Sequence, residues 1–189
     1  MRRPTVFLIT GYARAGKDTL AEAMRDLMPS ALVTSFADPL KQAVNRYFTD
    51  LGIERVNVKD TADKVRFRNL LVEAGRAARS VDVNVFADKV AYDARLALMS
   101  GRSVIVPDWR YFNEHDALVK AVGHHHPIVT VYIGRFGCAP ANQEEQDSID
   151  GITERLRITH HRTFADGEVP VIRDWAADIL STIPDVPAA

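Results

Sequence analysis

The sequence predicts an α/β fold, a parallel sheet with helices on both faces, and three observations predict it. Apolar runs of strand length alternate with segments of helical period along the 189 residues. The first run, Val6-Phe7-Leu8-Ile9, is apolar on both faces, as a parallel strand covered on each side should be. It enters Gly11-Tyr12-Ala13-Arg14-Ala15-Gly16-Lys17-Asp18-Thr19, a stretch with the G-x-x-x-x-G-K spacing of a phosphate-binding loop, and a helix follows it.

The glycines at both ends of that stretch let the backbone turn tightly and aim successive N–H groups inward, while Lys17 supplies charge for the β- and γ-phosphates. From Asp18 onward, Leu20, Ala23, Met24, Leu27 and Met28 share one helix face, and Pro29 stops it. The helix N-terminus points at the anion. The common motif has Ser or Thr directly after the lysine to ligate magnesium. Here Asp18 stands there with Thr19 next, so either is a candidate metal ligand.

Ala31 to Phe36 reads as a second strand, and a helix runs from Asp38, the expected N-cap, through Pro39 to about Phe48. Residues 50–63 lack a clear period and read as a loop or short insertion beside the site. Lys64 to Arg79 reads as one long helix with Val65, Phe67, Leu70, Leu71, Ala74, Ala77 and Ala78 at helical spacing. Its arginines, Arg68 among them, are a solvated face singly or an anion clamp together. A further helix spans Phe86 to Met99, with Gly101 as its stop.

Ser103 to Arg110 is an apolar strand that ends in Asp108, at the carboxyl edge where ligands bind in open α/β sheets. Asn113 is the nearer cap for the next helix, to Val122, which frees Asp108 for magnesium or its waters. Val129 to Gly134 is another strand, with Arg135 just past its end. His124-His125-His126 reads as a solvated turn, because adjacent histidines in an extended loop point in different directions. Cys138 to Gly151 is polar and acidic, residues 152–163 read as helical, and 137–163 is a candidate lid. Val169 to Ile172 reads as the last strand and Trp175 to Ile183 as the closing helix. The whole is one α/β domain of the P-loop kinase type with a small lid.

Composition narrows the class. Lys+Arg 24 against Asp+Glu 25 leaves a net charge of -1, so no global field holds nucleic acid, although a local basic face still can. Cys138 is the single cysteine and has no disulfide or zinc partner in the chain, which fits a reducing compartment, the cytoplasm. No apolar run approaches membrane-spanning length, and no membrane partner is expected. The oligomeric state stays open, a homodimer being one option.

With these residues in place, the chain resembles the phage deoxynucleoside monophosphate kinases. Gly16-Lys17-Asp18-Thr19 is similar to their G-K-D-T loop end. Phe36-Ala37-Asp38-Pro39-Leu40-Lys41 is similar to their segment after strand two, Arg68 through Gly75 to their arginine-bearing helix, and Val104 to Arg110 to their I-V-P-D-x-R strand end. Arg135 also matches. The resemblance spans about residues 5 to 135. The acceptor region near residues 50–64 is short for that family, and little of its pattern survives after Arg135.

The resemblance implies ATP and Mg²⁺ as cofactors. ATP would lie on Gly11, Arg14, Ala15, Gly16, Lys17, Asp18 and Thr19, with Arg135 assisting and the metal held through Asp18, Thr19 and Asp108. Lys17, Asp108, Arg110 and Arg68 carry the expected catalytic roles, the arginines on the acceptor or the transferred phosphoryl group. Two acceptors stand open: a free pyrimidine deoxynucleoside monophosphate, bound in the segment 50–80, or 5-hydroxymethyluracil within DNA. The second is the substrate of phage DNA-hypermodification kinases, which are similar at the same motifs. A polymer-borne base would have to be flipped out or presented unpaired. A nucleotide-binding switch is the reading from another class, and it would leave Asp108 and the motif arginines with no acceptor to serve.

Overall fold

The computed structural model describes residues 3–53, 56–58 and 60–184. Five strands form one sheet: β1 (Val6–Thr10), β2 (Leu32–Val33), β3 (Val104–Val106), β4 (Ile128–Arg135) and β5 (His160–Phe164). Their order is β2-β3-β1-β4-β5, and every pairing is parallel. The helices are α1 (Lys17–Leu27), α2 (Asp38–Asp50), α3 (Thr61–Arg66), α4 (Arg68–Val81), α5 (Val85–Met99), α6 (Phe112–Val122), α7 (Gln143–Arg155) and α8 (Val169–Ser181).

Alternation along β1 explains why both faces are covered. Phe7 and Ile9 pack with Leu20 and Met24 of α1 and with Trp175 and Ile179 of α8. Val6 and Leu8 point the other way, into Val90 and Ala94 of α5 and Leu118 of α6. Each large apolar side chain so buried contributes about 1.5–3 kcal/mol, so the strand that launches the phosphate loop is anchored from both sides. No helix among the described residues is long and apolar enough to cross a membrane.

The carboxyl-terminal third differs from the expectation. Residues 160–164 form β5, not the end of a helix, and Val169 to Ile172 open α8 instead of forming a strand. Pro170 sits in the first turn of α8, and Ile172, Trp175, Ala176, Ile179 and Leu180 continue at helical period into the core. The sequence of β5 is polar because the strand lies at the sheet's edge and pairs only with β4, so His161, Arg162 and Thr163 face solvent.

Three other elements depart from expectation. The helix expected from Lys64 to Arg79 breaks at Phe67, whose φ of −102° and ψ of 18° leave the helical region. The break lets the Phe67 ring pack 4.9 Å from that of Phe48 on α2, while Val65 and Leu70 stay exposed. Asp38 does not cap α2; it lies in the first turn with Ala37 at the cap, and its carboxylate pairs with Lys41 at 3.4 Å. Of the loop expected over 50–63, residues 54, 55 and 59 lie outside the described residues.

Candidate active site

The phosphate loop joins β1 to α1. Gly11 has φ +142° and its Cα faces the Ile133 carbonyl so closely that a Cβ would overlap it. Gly16 has φ +101°, caps α1, and leaves 3.3 Å between a built Cβ and the ends of Ile133 and Ile172. Between them Arg14 adopts φ +64°, a left-handed conformation uncommon for a residue with a Cβ, and its side chain is exposed. Ala15 is buried at 2% exposure, so it anchors the loop to the core.

Lys17 reaches back over this turn. Its Nζ donates to the carbonyls of Gly11 at 2.6 Å and Tyr12 at 2.7 Å. Burial lowers its pKa, as does the Arg110 charge, while Glu145, Asp18 and Asp108 oppose the shift. An ammonium so placed is a desolvated charge that a polyphosphate would pair better than two carbonyls do. Asp18, exposed, and Thr19, partly exposed, occupy the first turn of α1.

Asp108 lies just past β3, as expected, but it is not free. Its Oδ1 accepts from the Phe36 N–H at 2.9 Å, and its Oδ2 accepts from the Ala37 N–H at 3.0 Å and the Ser35 hydroxyl at 2.8 Å. Burial raises its pKa against these hydrogen bonds and Lys41. Asp108 therefore ties the segment after β2 to the end of β3. Asn113 does not cap α6: its amide donates to Val83 O and Asn84 Oδ1. Tyr111 takes the cap position, and Glu114 accepts from its N–H at 3.0 Å.

Two buried glutamates absent from the expected site surround Arg110. Glu114, 7% exposed, also accepts from the Arg110 N–H at 2.8 Å. Burial pushes its pKa up to about 8, and Asp108 adds to this against the N–H bonds and Arg79. Glu145 of α7 is 3% exposed and lies 3.0 Å from the Arg110 guanidinium. Its Oε2 accepts from Ala141 N at 2.7 Å and from the loop's Ala13 N at 3.4 Å. Glu114 was detectable as the fourth residue after Arg110, at the third helical position; nothing in its local pattern distinguishes Glu145 from the acids around it.

The remaining residues divide. Arg135 closes β4, with Nη1 2.8 Å from Asp166 and Nε 3.3 Å from Cys138 Sγ, which itself donates to Ala13 O at 3.5 Å. It thus stands beside the loop. Arg68 begins α4, exposed, with no hydrogen bond or ion pair among the described residues, and is not drawn into this cluster. The segment 137–163 is not one piece: α7 buries Ile149 and Ile152, and β5 belongs to the sheet. Tyr12 of the loop donates to Asp150 of α7 at 2.8 Å.

For magnesium, the donor set is sparse but suitable. No group of three or more His, Cys, Asp or Glu gathers as a metal cage among the described residues. Magnesium beside a polyphosphate takes only one or two protein ligands and keeps several waters. Asp108 Oδ1 accepts a single hydrogen bond and retains a lone pair, so with Asp18 and Thr19 the residues fit a water-rich ion.

No protein-family model and no curated protein sequence matches the chain. Solved structures do. The APS kinase CysC of Mycobacterium tuberculosis, in complex with AMPPNP and APS, is 15% identical with a TM-score of 0.54, covering 96% of this chain and 100% of that one. A sugar kinase from Janibacter sp. HTCC2649, unliganded, is 12% identical with a TM-score of 0.52, covering 94% of this chain and 95% of that one. The likeness is one of fold: the chain shares the α/β architecture of these two proteins.

Proposed function

We propose that this protein is an ATP-dependent phosphotransferase whose acceptor is a pyrimidine deoxynucleotide. The observation that carries the reading is Lys17 folded over a glycine-bounded loop that opens a helix, with Arg110 tied to the same loop through Glu145. ATP would lie with its β- and γ-phosphates on residues 11–19, with Lys17 leaving the two loop carbonyls to bridge them. An acceptor oxygen attacks the γ-phosphorus, and the β–γ bridging oxygen leaves with ADP. Positioning and charge neutralisation supply most of such catalysis. Magnesium, held through Asp18 or Thr19 and waters on Asp108, would neutralise phosphate charge. Arg110 serves the transferred group. Arg68 would join the acceptor side, and Arg135 the nucleotide side.

The names of the two similar structures, both kinases, support phosphoryl transfer. The resemblance to phage deoxynucleoside monophosphate kinases supports a free monophosphate acceptor, as does a hollow of about 540 Å³ between the end of α2 and α3. Phe48, Ile53, Val56, Asp63, Arg66 and Phe67 line it, and paired aromatic rings suit a planar base. A phosphate acceptor needs no base. A distinct observation favours 5-hydroxymethyluracil in DNA: Arg155, Arg157 and Arg162 are all exposed along the end of α7 and β5, a bank of cations for a phosphate backbone. With an alcohol acceptor, Asp108 would also take the hydroxyl proton.

The test offers γ-labelled ATP with each deoxynucleoside monophosphate and, separately, with DNA containing 5-hydroxymethyluracil. A monophosphate kinase labels the small nucleotide and leaves the polymer cold. A DNA kinase labels the polymer and loses activity steeply with salt. Labelling of neither defeats both readings, and ATP hydrolysis without transfer returns the chain to the switch class.

A further inference from the structure

Arg110 is held at both ends by buried carboxylates. Glu114 accepts its backbone N–H at 2.8 Å, and Glu145 faces its guanidinium at 3.0 Å. Burying an ionisable carboxyl group is unfavourable, and burying two near the same arginine calls for a cause.

We propose that Glu145 is a positioning residue that holds Arg110 toward the mouth of the phosphate loop for the transferred phosphoryl group. The proposal rests on the kinase reading above. Glu145 is unsuited to touch phosphate itself, since its charge would repel the γ-phosphoryl oxygens and Oε2 is already taken by the N–H groups of Ala141 and Ala13. Its Oε1 lies at ion-pair distance from Arg110 yet accepts no aligned hydrogen bond. The carboxylate therefore fixes the guanidinium by charge and leaves its N–H vectors for another acceptor. No other ion pair or side-chain hydrogen bond of Arg110 occurs among the described residues, and its side chain is 43% exposed. Glu145 meets both the Arg110 guanidinium and the N–H of Ala13, so the arginine and the loop that carries Lys17 share one carboxylate.

The contact with Ala13 gives Glu145 a second reach. A single carboxylate spans the loop, Arg110 in the segment after β3 and the N-terminal turn of α7, where Asn142 Oδ1 accepts from Glu145 N at 2.8 Å and sets the first turn. A shift of α7 moves the arginine and the loop together. Charge at position 145, not bulk, is what the role requires.

Glu145→Gln tests this, because glutamine retains the shape and a carbonyl for Ala13 and Ala141 but removes the charge that faces Arg110. Two quantities are read: steady-state transfer from ATP, and the Arg110 Nε–H resonance in ¹⁵N-arginine-labelled protein, assigned by its loss in Arg110→Lys. The expected result is a kcat lowered on the order of 100-fold with KM for ATP within about threefold, since misplacing a reacting group by about 1 Å costs that much. The Arg110 resonance should broaden or shift toward the value of a free guanidinium. Glu145→Gln added to Arg110→Lys should lower kcat little further, as coupled residues do.

An unmoved Arg110 resonance overturns the proposal whatever the rates are. A moved resonance with unchanged kcat overturns it too, as does a full additional loss in the double variant. A moved resonance in a chain whose wild type transfers no phosphoryl group supports Glu145 as the holder of Arg110 and defeats the kinase reading alone.

Discussion

The Ser35 hydroxyl donates to Asp108 Oδ2 at 2.8 Å across 73 positions of sequence, and it does so in the gap between the ends of β2 and β3. With the N–H groups of Phe36 and Ala37 on the same carboxylate, this bond sets where α2 begins. Asp108→Asn replaces one acceptor oxygen by a donor and leaves an N–H unpaired. It should destabilise the protein by about 1–3 kcal/mol in metal-free buffer. Urea unfolding without magnesium measures this tie, and the magnesium dependence of turnover measures the proposed metal role. A variant as stable as the parent would contradict the tie, and an undiminished rate at limiting magnesium would contradict the metal role.

Lys17→Ala removes the charge proposed to meet the phosphates and only two bonds to loop carbonyls. Transfer should fall by about 100-fold or more, the scale on which a single preorganised donor is felt, while the circular dichroism spectrum stays that of the parent. Near-normal turnover would remove the loop from the reaction.

Gly11→Ala should be among the most damaging single substitutions in the chain. The φ of +142° and the overlap with the Ile133 carbonyl add strain to a steric clash. A loss of about 3 kcal/mol or more is expected from chemical denaturation. Gly101→Ala, at φ +78° with nothing within 4 Å of its Cβ, should lose only about 1–2 kcal/mol. Equal losses at the two sites would mean that backbone conformation, not the carbonyl, sets the requirement.

Burial of Glu114 should give the fold a pH dependence. Its carboxyl is raised from the ordinary 4.5 to about 8, so its ionised form is disfavoured in the folded chain. The stability tied to this group is whole below the unfolded value and is lost as pH rises through the folded one. Glu114→Gln cannot ionise and can still accept both N–H groups. Its urea midpoint should therefore change less than that of the parent between about pH 5 and about pH 8. Parallel curves for the two proteins would show that Glu114 titrates in its ordinary range.

The strand, glycine turn and helix of residues 6–27 were legible because they are local and constrain one another. Asp108 was legible in place but not in bonding, since its three donors come from residues 35–37, and neither stretch contains a sign of the other. The same limit hid Glu145, whose partners are at positions 13, 110 and 141. β5 was misread because an edge strand needs no apolar alternation. The start of α8 was misread because Val169-Pro170-Val171-Ile172 is β-branched, and only the later residues reveal the helical period.

The position of β1 also bears on how the chain is made. Its sheet partners are residues 104–106 and 128–132, so Thr10 waits for Tyr132, 122 residues later, before its ladder is complete. At about 5–20 residues per second, a ribosome needs roughly 6–24 seconds to supply them. Until residues 104–106 and then 128–132 are made, the segment Val-Phe-Leu-Ile-Thr, fully buried in the finished fold, is an apolar strand without a sheet partner. The same centrality that anchors the phosphate loop thus makes the nascent chain a client for whatever shields apolar strands during synthesis.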